Sequence, residues 1–157
     1  TCGVASGCAQ VACAQLCATN GDSTGTCKTT CAFTTEQGQA ACYAVCALNH
    51  DSTGTCKTTC GVTTPCGQHA CYVLAAQNGD STGTGKTTCG VTTACGMVGC
   101  YDLCARNRDS SGTCKTTCGL SDAVCSCGEV AESPRAACYR VCGGNGDSAG
   151  TCKTICG

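Results

Sequence analysis

Large apolar and aromatic side chains are scarce in this chain, which has no Trp, one Phe, one Met and four Tyr among 157 residues. Small side chains bury too little apolar surface to offset the conformational entropy that is lost on folding. An ordinary hydrophobic core is therefore excluded as the main source of stability. The sequence also lacks any run of 18 apolar residues, so we expect no membrane-spanning helix.

Ionisable side chains are also few, and their scarcity excludes several classes of function. With only two His and three Glu, the chain offers neither a base-activated nucleophile nor a pair of acid–base carboxylates. The formal net charge of −1 creates no field that would attract nucleic acid or a membrane surface. We therefore expect no enzyme activity, no cofactor, and no nucleic-acid or membrane partner.

Cysteine is what the chain has in abundance, with 24 residues. This content is typical of a disulfide scaffold, and the even number fits complete pairing. Because reducing compartments do not keep such a framework oxidised, we expect a secreted, extracellular protein. The chain begins at Thr1 without an apolar leader, which suggests a mature chain whose signal peptide has been removed.

The sequence is built from five copies of a 29-residue unit. The Cys that ends each TCKTTC-type motif sets the period, and it stands at Cys31, Cys60, Cys89 and Cys118, with Cys2 before the series and Cys156 after it. The units span 2–30, 31–59, 60–88, 89–117 and 118–156, the last with a nine-residue insertion within 121–137. Constant spacing predicts one repeat domain, 1–157, whose neighbouring units contact each other. The matching ends suit end-to-end self-association.

Three segments recur in every unit. The Ala-rich stretch, 39–48 in the second unit, predicts a short helix because Ala favours helix. The Asn-x-Asp-Ser-x-Gly segment that follows predicts a tight turn, and we favour an Asx-turn over a calcium loop. The Thr-rich segment predicts an extended strand because Thr is β-branched. The predicted fold is thus a small disulfide-rich repeat protein, with helix, turn and extended segment stacked as a solenoid.

The third unit indicates how the cysteines pair. It has Ala75 and Gly85 where the second unit has Cys46 and Cys56, and a bonded pair is expected to be lost together. We therefore predict an inner set of bridges, Cys17–Cys27, Cys46–Cys56, Cys104–Cys114 and Cys142–Cys152. The flanking cysteines then form an outer set, Cys13–Cys31, Cys42–Cys60, Cys71–Cys89, Cys100–Cys118 and Cys138–Cys156.

Six cysteines remain unassigned by this argument: Cys2, Cys8, Cys66, Cys95, Cys125 and Cys127. A bridge between Cys66 and Cys95, at equivalent positions of adjacent units, is one alternative. Zinc binding by cysteines is another, but an oxidising compartment favours disulfides, so we predict no metal site.

Threonines form two columns when the units are aligned. One contains Thr26, Thr55, Thr84, Thr113 and Thr151, and the other contains Thr30, Thr59, Thr88 and Thr117. A Lys lies between the two columns in each unit, at Lys28, Lys57, Lys86, Lys115 and Lys153. Alternate residues of an extended segment share a face, so we expect both columns to face solvent. A regular Thr array on a rigid face can order water into an ice-like layer.

These TCKTT-type segments and the Thr/Cys/Ala/Gly-rich composition resemble those of insect-type repetitive antifreeze proteins. The resemblance implies a secreted protein whose partner is an ice surface, bound by both Thr columns. Two alternatives stay open: an extracellular structural or adhesive protein, such as a fibre, coat or matrix component, and a disulfide-rich defence peptide, toxin or inhibitor.

Overall fold

The structure, a computed structural model, describes residues 5–157, and each repeat unit in it consists of a long helix followed by a short one. The long helices are α1 (Gly7–Asn20), α3 (Glu36–Leu48), α5 (Pro65–Gln77), α7 (Ala94–Arg106) and α9 (Pro134–Gly144). The short helices are α2 (Thr24–Cys31), α4 (Thr53–Cys60), α6 (Thr82–Cys89), α8 (Ser111–Cys118) and α10 (Ala149–Cys156). The insertion contributes two short strands, β1 (Cys125–Cys127) and β2 (Val130–Glu132).

The long helices form where the Ala-rich stretches predict them, and local residues set their ends. Thr35 caps the start of α3, where its hydroxyl accepts a hydrogen bond from the backbone N–H of Gly38 at 3.0 Å. Each long helix is followed by one residue with a left-handed backbone at the same repeat position. These residues are Gly21, His50, Gly79, Arg108 and Gly146, with φ between 57° and 81°. This conformation turns the chain sharply back toward the short helix.

The Thr-rich segments are helical, which contradicts the prediction of an extended strand. A Ser caps each of them, as in α4, where Ser52 accepts a hydrogen bond from the N–H of Thr55 at 3.2 Å. The buried residues Thr53, Cys56 and Cys60 follow the three- and four-residue spacing of a helix face. The predicted fold class is therefore wrong: the chain is an array of helical hairpins, not a solenoid of extended Thr-rich segments.

Neighbouring hairpins pack in chain order. The long helices contact one another in the sequence α1, α3, α5, α7, α9, and the short helices form a second row, α2, α4, α6, α8, α10. The short helices α2, α4, α6 and α8 also pack between the long helix of their own unit and that of the next, whereas α10 packs on α9 alone among the described long helices. Two rows of helices, joined within every unit, result from this arrangement.

Disulfides and tyrosines occupy the space between the two rows. Nine bridges join the long and short helices of the five units, and they are the nine pairs that the sequence predicts. Tyr43, Tyr72 and Tyr101 are buried beside them. Each of these phenols donates a hydrogen bond to the carbonyl of the Gly after its own short helix, for example Tyr72 to Gly90 at 2.9 Å. Small residues can thus form a core here because covalent bonds close it.

The insertion folds back onto the long-helix row as an antiparallel hairpin. Two disulfides fix it there: Cys66–Cys127 joins it to α5, and Cys95–Cys125 joins it to α7. The predicted alternative of a Cys66–Cys95 bridge is therefore wrong. Cys8 is disulfide-bonded as well, whereas Cys2 lies outside the described residues.

None of the helices within residues 5–157 is both long enough and apolar enough to cross a membrane.

Candidate functional site

The outer face of the short-helix row carries threonine in every unit. The residues of the first predicted column, Thr26, Thr55, Thr84, Thr113 and Thr151, are all exposed on this face. Exposed glycines, Gly25, Gly54, Gly83, Gly112 and Gly150, accompany them one residue earlier in the chain. With no side chain at the glycine, the threonine methyl and hydroxyl groups are the prominent features of the surface.

The second predicted column is positioned differently. Thr30 is exposed in the first unit, but its equivalents Thr59, Thr88 and Thr117 are only partly exposed. The cause is helical geometry: successive helical residues lie about 100° apart, which turns this position away from the outermost line of the helix. The array that the sequence predicts as two equal columns is therefore one exposed column and one half-buried column.

A third column was missed by sequence reasoning. It contains Thr29, Thr58, Thr87, Thr116 and Thr154, all exposed. In an extended segment these residues would face inward with the cysteines. In the helix, Thr58 lies three residues after Thr55 and therefore shares its face. The three-residue spacing of Thr55 and Thr58 was the available signal, and the assumption of a two-residue period concealed it.

Local hydrogen bonds hold the exposed hydroxyl groups in one arrangement. Thr55 shares a hydrogen bond with the capping Ser52 at 2.9 Å, and the equivalent pairs of the other units are 2.8–2.9 Å apart. Thr58 donates to the carbonyl of Gly54 at 3.1 Å, as Thr29, Thr87 and Thr154 do to their equivalent glycines. Since these hydroxyl groups bond to their own helix, the threonine side chains are held in the same local arrangement in the units that form these bonds.

A lysine column flanks the threonines. Lys28, Lys57, Lys86, Lys115 and Lys153 are exposed and lie near the carboxyl ends of the short helices, where a cation is favoured. The ion pairs found within residues 5–157 involve Arg and His, not these lysines. The ammonium groups are thus available at one border of the threonine face.

A ladder of polar side chains fixes each unit on the next. Asn78 donates to the carbonyl of Asp51 at 3.2 Å and to the hydroxyl of Thr53 at 3.0 Å, and Thr53 donates to the carboxylate of Asp80 at 2.6 Å. The same pattern recurs at the other three junctions. The Asn and Asp of the turn therefore bind the preceding unit, which corrects the expectation of a self-contained Asx-turn.

A second ladder lies at the start of the long helices. Gln39 is buried, donates to Thr63 at 2.5 Å, and accepts from the N–H and hydroxyl of Thr64 at 3.2 and 2.8 Å. Gln10 and Gln68 make the equivalent bonds to the units that follow them. Together the two ladders give the threonine face its regular repeat from unit to unit.

A cluster of charged side chains lies beside the hairpin. Arg140 lies 2.7 Å from Asp102 and 2.8 Å from Glu132. Burial raises the pKa of the Asp102 carboxyl, whereas His69 and Arg140 lower it, and the net shift is downward. This cluster holds α7, α9 and β2 together.

Two groups of metal-ligand residues occur within residues 5–157, Cys95 with Cys125 and Cys127, and Cys46 with Asp51 and Cys56. Their sulfur atoms are all engaged in disulfides. A metal-binding cysteine must be a thiolate, so neither group suits zinc.

Comparisons of this chain with models of known protein families, with curated proteins and with solved structures give no match. The resemblance to insect-type antifreeze proteins thus stays a prediction from composition and repeat segments, and the family of this chain is not assigned.

Proposed function

We propose that this is a non-catalytic extracellular protein that binds ice through the outer face of its short helices. The observation that carries the proposal is the repetition of two exposed threonines per unit, Thr26 and Thr29 in the first, with the same hydroxyl hydrogen bonds in successive units. Methyl groups held in a fixed array can order the adjacent water, while disulfides limit the motion of the scaffold that carries them. The number of disulfides supports an oxidising, extracellular location.

The test is the growth of ice crystals in solutions of the oxidised protein. We expect faceted crystals and a gap between melting and freezing temperatures, and we expect both to vanish after reduction of the disulfides. Because Thr58 is an exposed member of the third column and does not lie at an end of the array, Thr58→Lys should lower the freezing gap several-fold by breaking the methyl array.

Gln15→Lys is the matched control for this substitution. Gln15 is exposed on α1 in the long-helix row, so the same charge is added away from the threonine face. The control should keep the freezing gap of the native protein. Round crystals with the native protein, or equal loss of activity in both variants, would contradict ice binding by this face.

The second candidate function is that of an extracellular structural or adhesive protein, which the lysine column favours. Five exposed ammonium groups along one border of the array would attract an anionic polymer. Concentration-dependent filaments in electron micrographs, or retention on an anionic polysaccharide that salt reverses, would support this candidate if ice crystals grow round.

A further inference from the structure

A groove of about 590 Å³ lies on the long-helix row. Its lining comes from α1, α3, α5 and the β1–β2 hairpin, with no contribution from the described short helices. The groove is therefore separate from the threonine face, and its function can be tested separately. Its volume falls in the range of small-molecule binding sites.

The floor of the groove is made of alanines on α3. Ala40 and Ala44 occupy the repeat positions that His69 and Val73 occupy one unit later. Because the alanine side chains are shorter, the surface is lower over α3 than over α5. Val11 on α1 and Val73 on α5 contribute apolar walls. The result is a mostly apolar cleft between three neighbouring long helices.

The β1–β2 hairpin closes one side of this cleft. The packing of the fifth unit on the fourth does not depend on the hairpin, because the asparagine bonds between these units are the same as at junctions without an insertion. Asn145, after the insertion, bonds the carbonyl of Asp109 at 3.2 Å and Ser111 at 3.0 Å, as its equivalents do at junctions that have no insertion. The hairpin is nevertheless fixed on α5 and α7 by Cys66–Cys127 and Cys95–Cys125. It contributes Ser126, Cys127 and Gly128 to the lining. These bridges thus hold a wall of the groove in place.

The charge of the groove indicates the kind of ligand. Glu36 is the one carboxylate among the lining residues, and the described lining contains no Lys or Arg. Glu36 takes part in none of the ion pairs formed within residues 5–157. His69 also lines the groove, but its Nε2 atom is buried and lies 3.7 Å from the Asp102 carboxylate. An apolar cleft with one unpaired carboxylate complements an apolar molecule that carries one cation.

We propose that this groove binds a small aliphatic amine, with the alkyl chain over Ala40 and Ala44 and the protonated amino group beside Glu36. The hairpin contributes the wall that makes the cleft deep enough to remove the chain from water. This site is independent of ice binding, because it lies on the other row of helices.

The experiment measures displacement of the fluorescent probe N-phenyl-1-naphthylamine by dodecylamine and by dodecanoate, each below its critical micelle concentration. We expect the native protein to enhance probe fluorescence, and dodecylamine to displace the probe at a several-fold lower concentration than dodecanoate. Glu36→Gln should remove this preference while leaving probe binding intact. Absence of probe binding, or an equal preference for amine and carboxylate in the native protein, would overturn the proposal.

A substitution that fills the groove provides a second test of the proposal. Ala44→Phe places a ring over the exposed floor of the cleft and should weaken probe binding several-fold. Ala105→Phe is the matched control, because Ala105 is an exposed alanine on α7 outside the groove. Both variants should retain the helical circular dichroism of the native protein. If Ala44→Phe bound the probe as tightly as Ala105→Phe, the probe would lie elsewhere and the groove would not be the site.

Discussion

At the scale of single residues, the third unit shows what replaces a missing disulfide. Ala75 and Gly85 stand where the neighbouring units have a bonded pair, and both are buried. The space that a side chain at Gly85 would occupy is filled from two sides, because an added Cβ would collide with Cδ2 of Leu103 and lie 3.3 Å from Cε1 of Tyr72. Leu103 belongs to the next unit, so packing between units takes over where the covalent link within the unit is absent.

Two glycines of α6 are therefore predicted to respond in opposite directions to alanine. Gly83→Ala should stabilise the protein by about 0.5–1 kcal/mol, because glycine is unfavourable in a helix. At Gly83 an added Cβ meets no atom within 4 Å. Gly85→Ala should destabilise the protein by about 1–3 kcal/mol through overpacking. Guanidinium unfolding of the two oxidised variants measures both shifts, and a common direction would contradict this account of α6.

The cysteine pairing was predictable from the sequence at this scale, whereas the packing of Gly85 was not. Two positions that change together inside one chain indicate a bond, and no structure is needed to see that Ala75 and Gly85 do so. The position of Leu103 relative to Gly85 depends on how neighbouring units pack, and nothing in the spacing of these residues specifies it. For the same reason, the partners of Cys66 and Cys95 on the folded-back hairpin were missed.

At the scale of elements, the short helices show why threonine content was misleading. An eight-residue helix is marginal by itself in water, and Thr is a weak helix former. Each short helix nevertheless has a capping Ser and two buried cysteines or their equivalents on the face toward its long helix. The four-residue spacing of Cys56 and Cys60 matches that of Cys42 and Cys46 in the predicted helix, and it was the sequence signal for a helix. The disulfides to the long helices, together with the serine caps, outweigh the preference of Thr for strands.

The serine cap of a short helix is predicted to contribute measurably to stability. Ser52→Ala removes the acceptor for the N–H of Thr55 and should destabilise the protein by about 1 kcal/mol. Ser126→Ala is the control, because Ser126 is exposed on β1 and caps no helix. The guanidinium midpoints of the two variants give the comparison. Equal midpoints would show that the disulfides alone hold α4 in its helical form.

At the scale of the whole molecule, the polar ladders decide whether the units form one regular array. The sequence shows Asn and Asp at one position in every unit and Gln at one position in the first three units, but it does not show which groups these side chains bond. From the second unit on, the Asn and Asp side chains bond the preceding unit, and the distance between units follows only from the packing of the helices. The exposed threonine face was likewise predicted only in part. The sequence identifies the Thr26 column, but the helical geometry of the short segments is needed to place Thr29 beside it.

The asparagine bonds between units give a prediction that has a matched control at the equivalent position of the first unit. Asn78→Ala leaves the carbonyl of Asp51 and the hydroxyl of Thr53 with one partner fewer and should destabilise the protein by about 1–2 kcal/mol. Asn20 occupies the same position in the first unit, but its side chain is exposed and forms no hydrogen bond to another unit within residues 5–157. Asn20→Ala should therefore change the guanidinium midpoint little. If both substitutions cost the same free energy of unfolding, the asparagines would stabilise only their own helix ends, and the regular spacing of the threonine face would depend on the disulfides and the glutamine ladder instead.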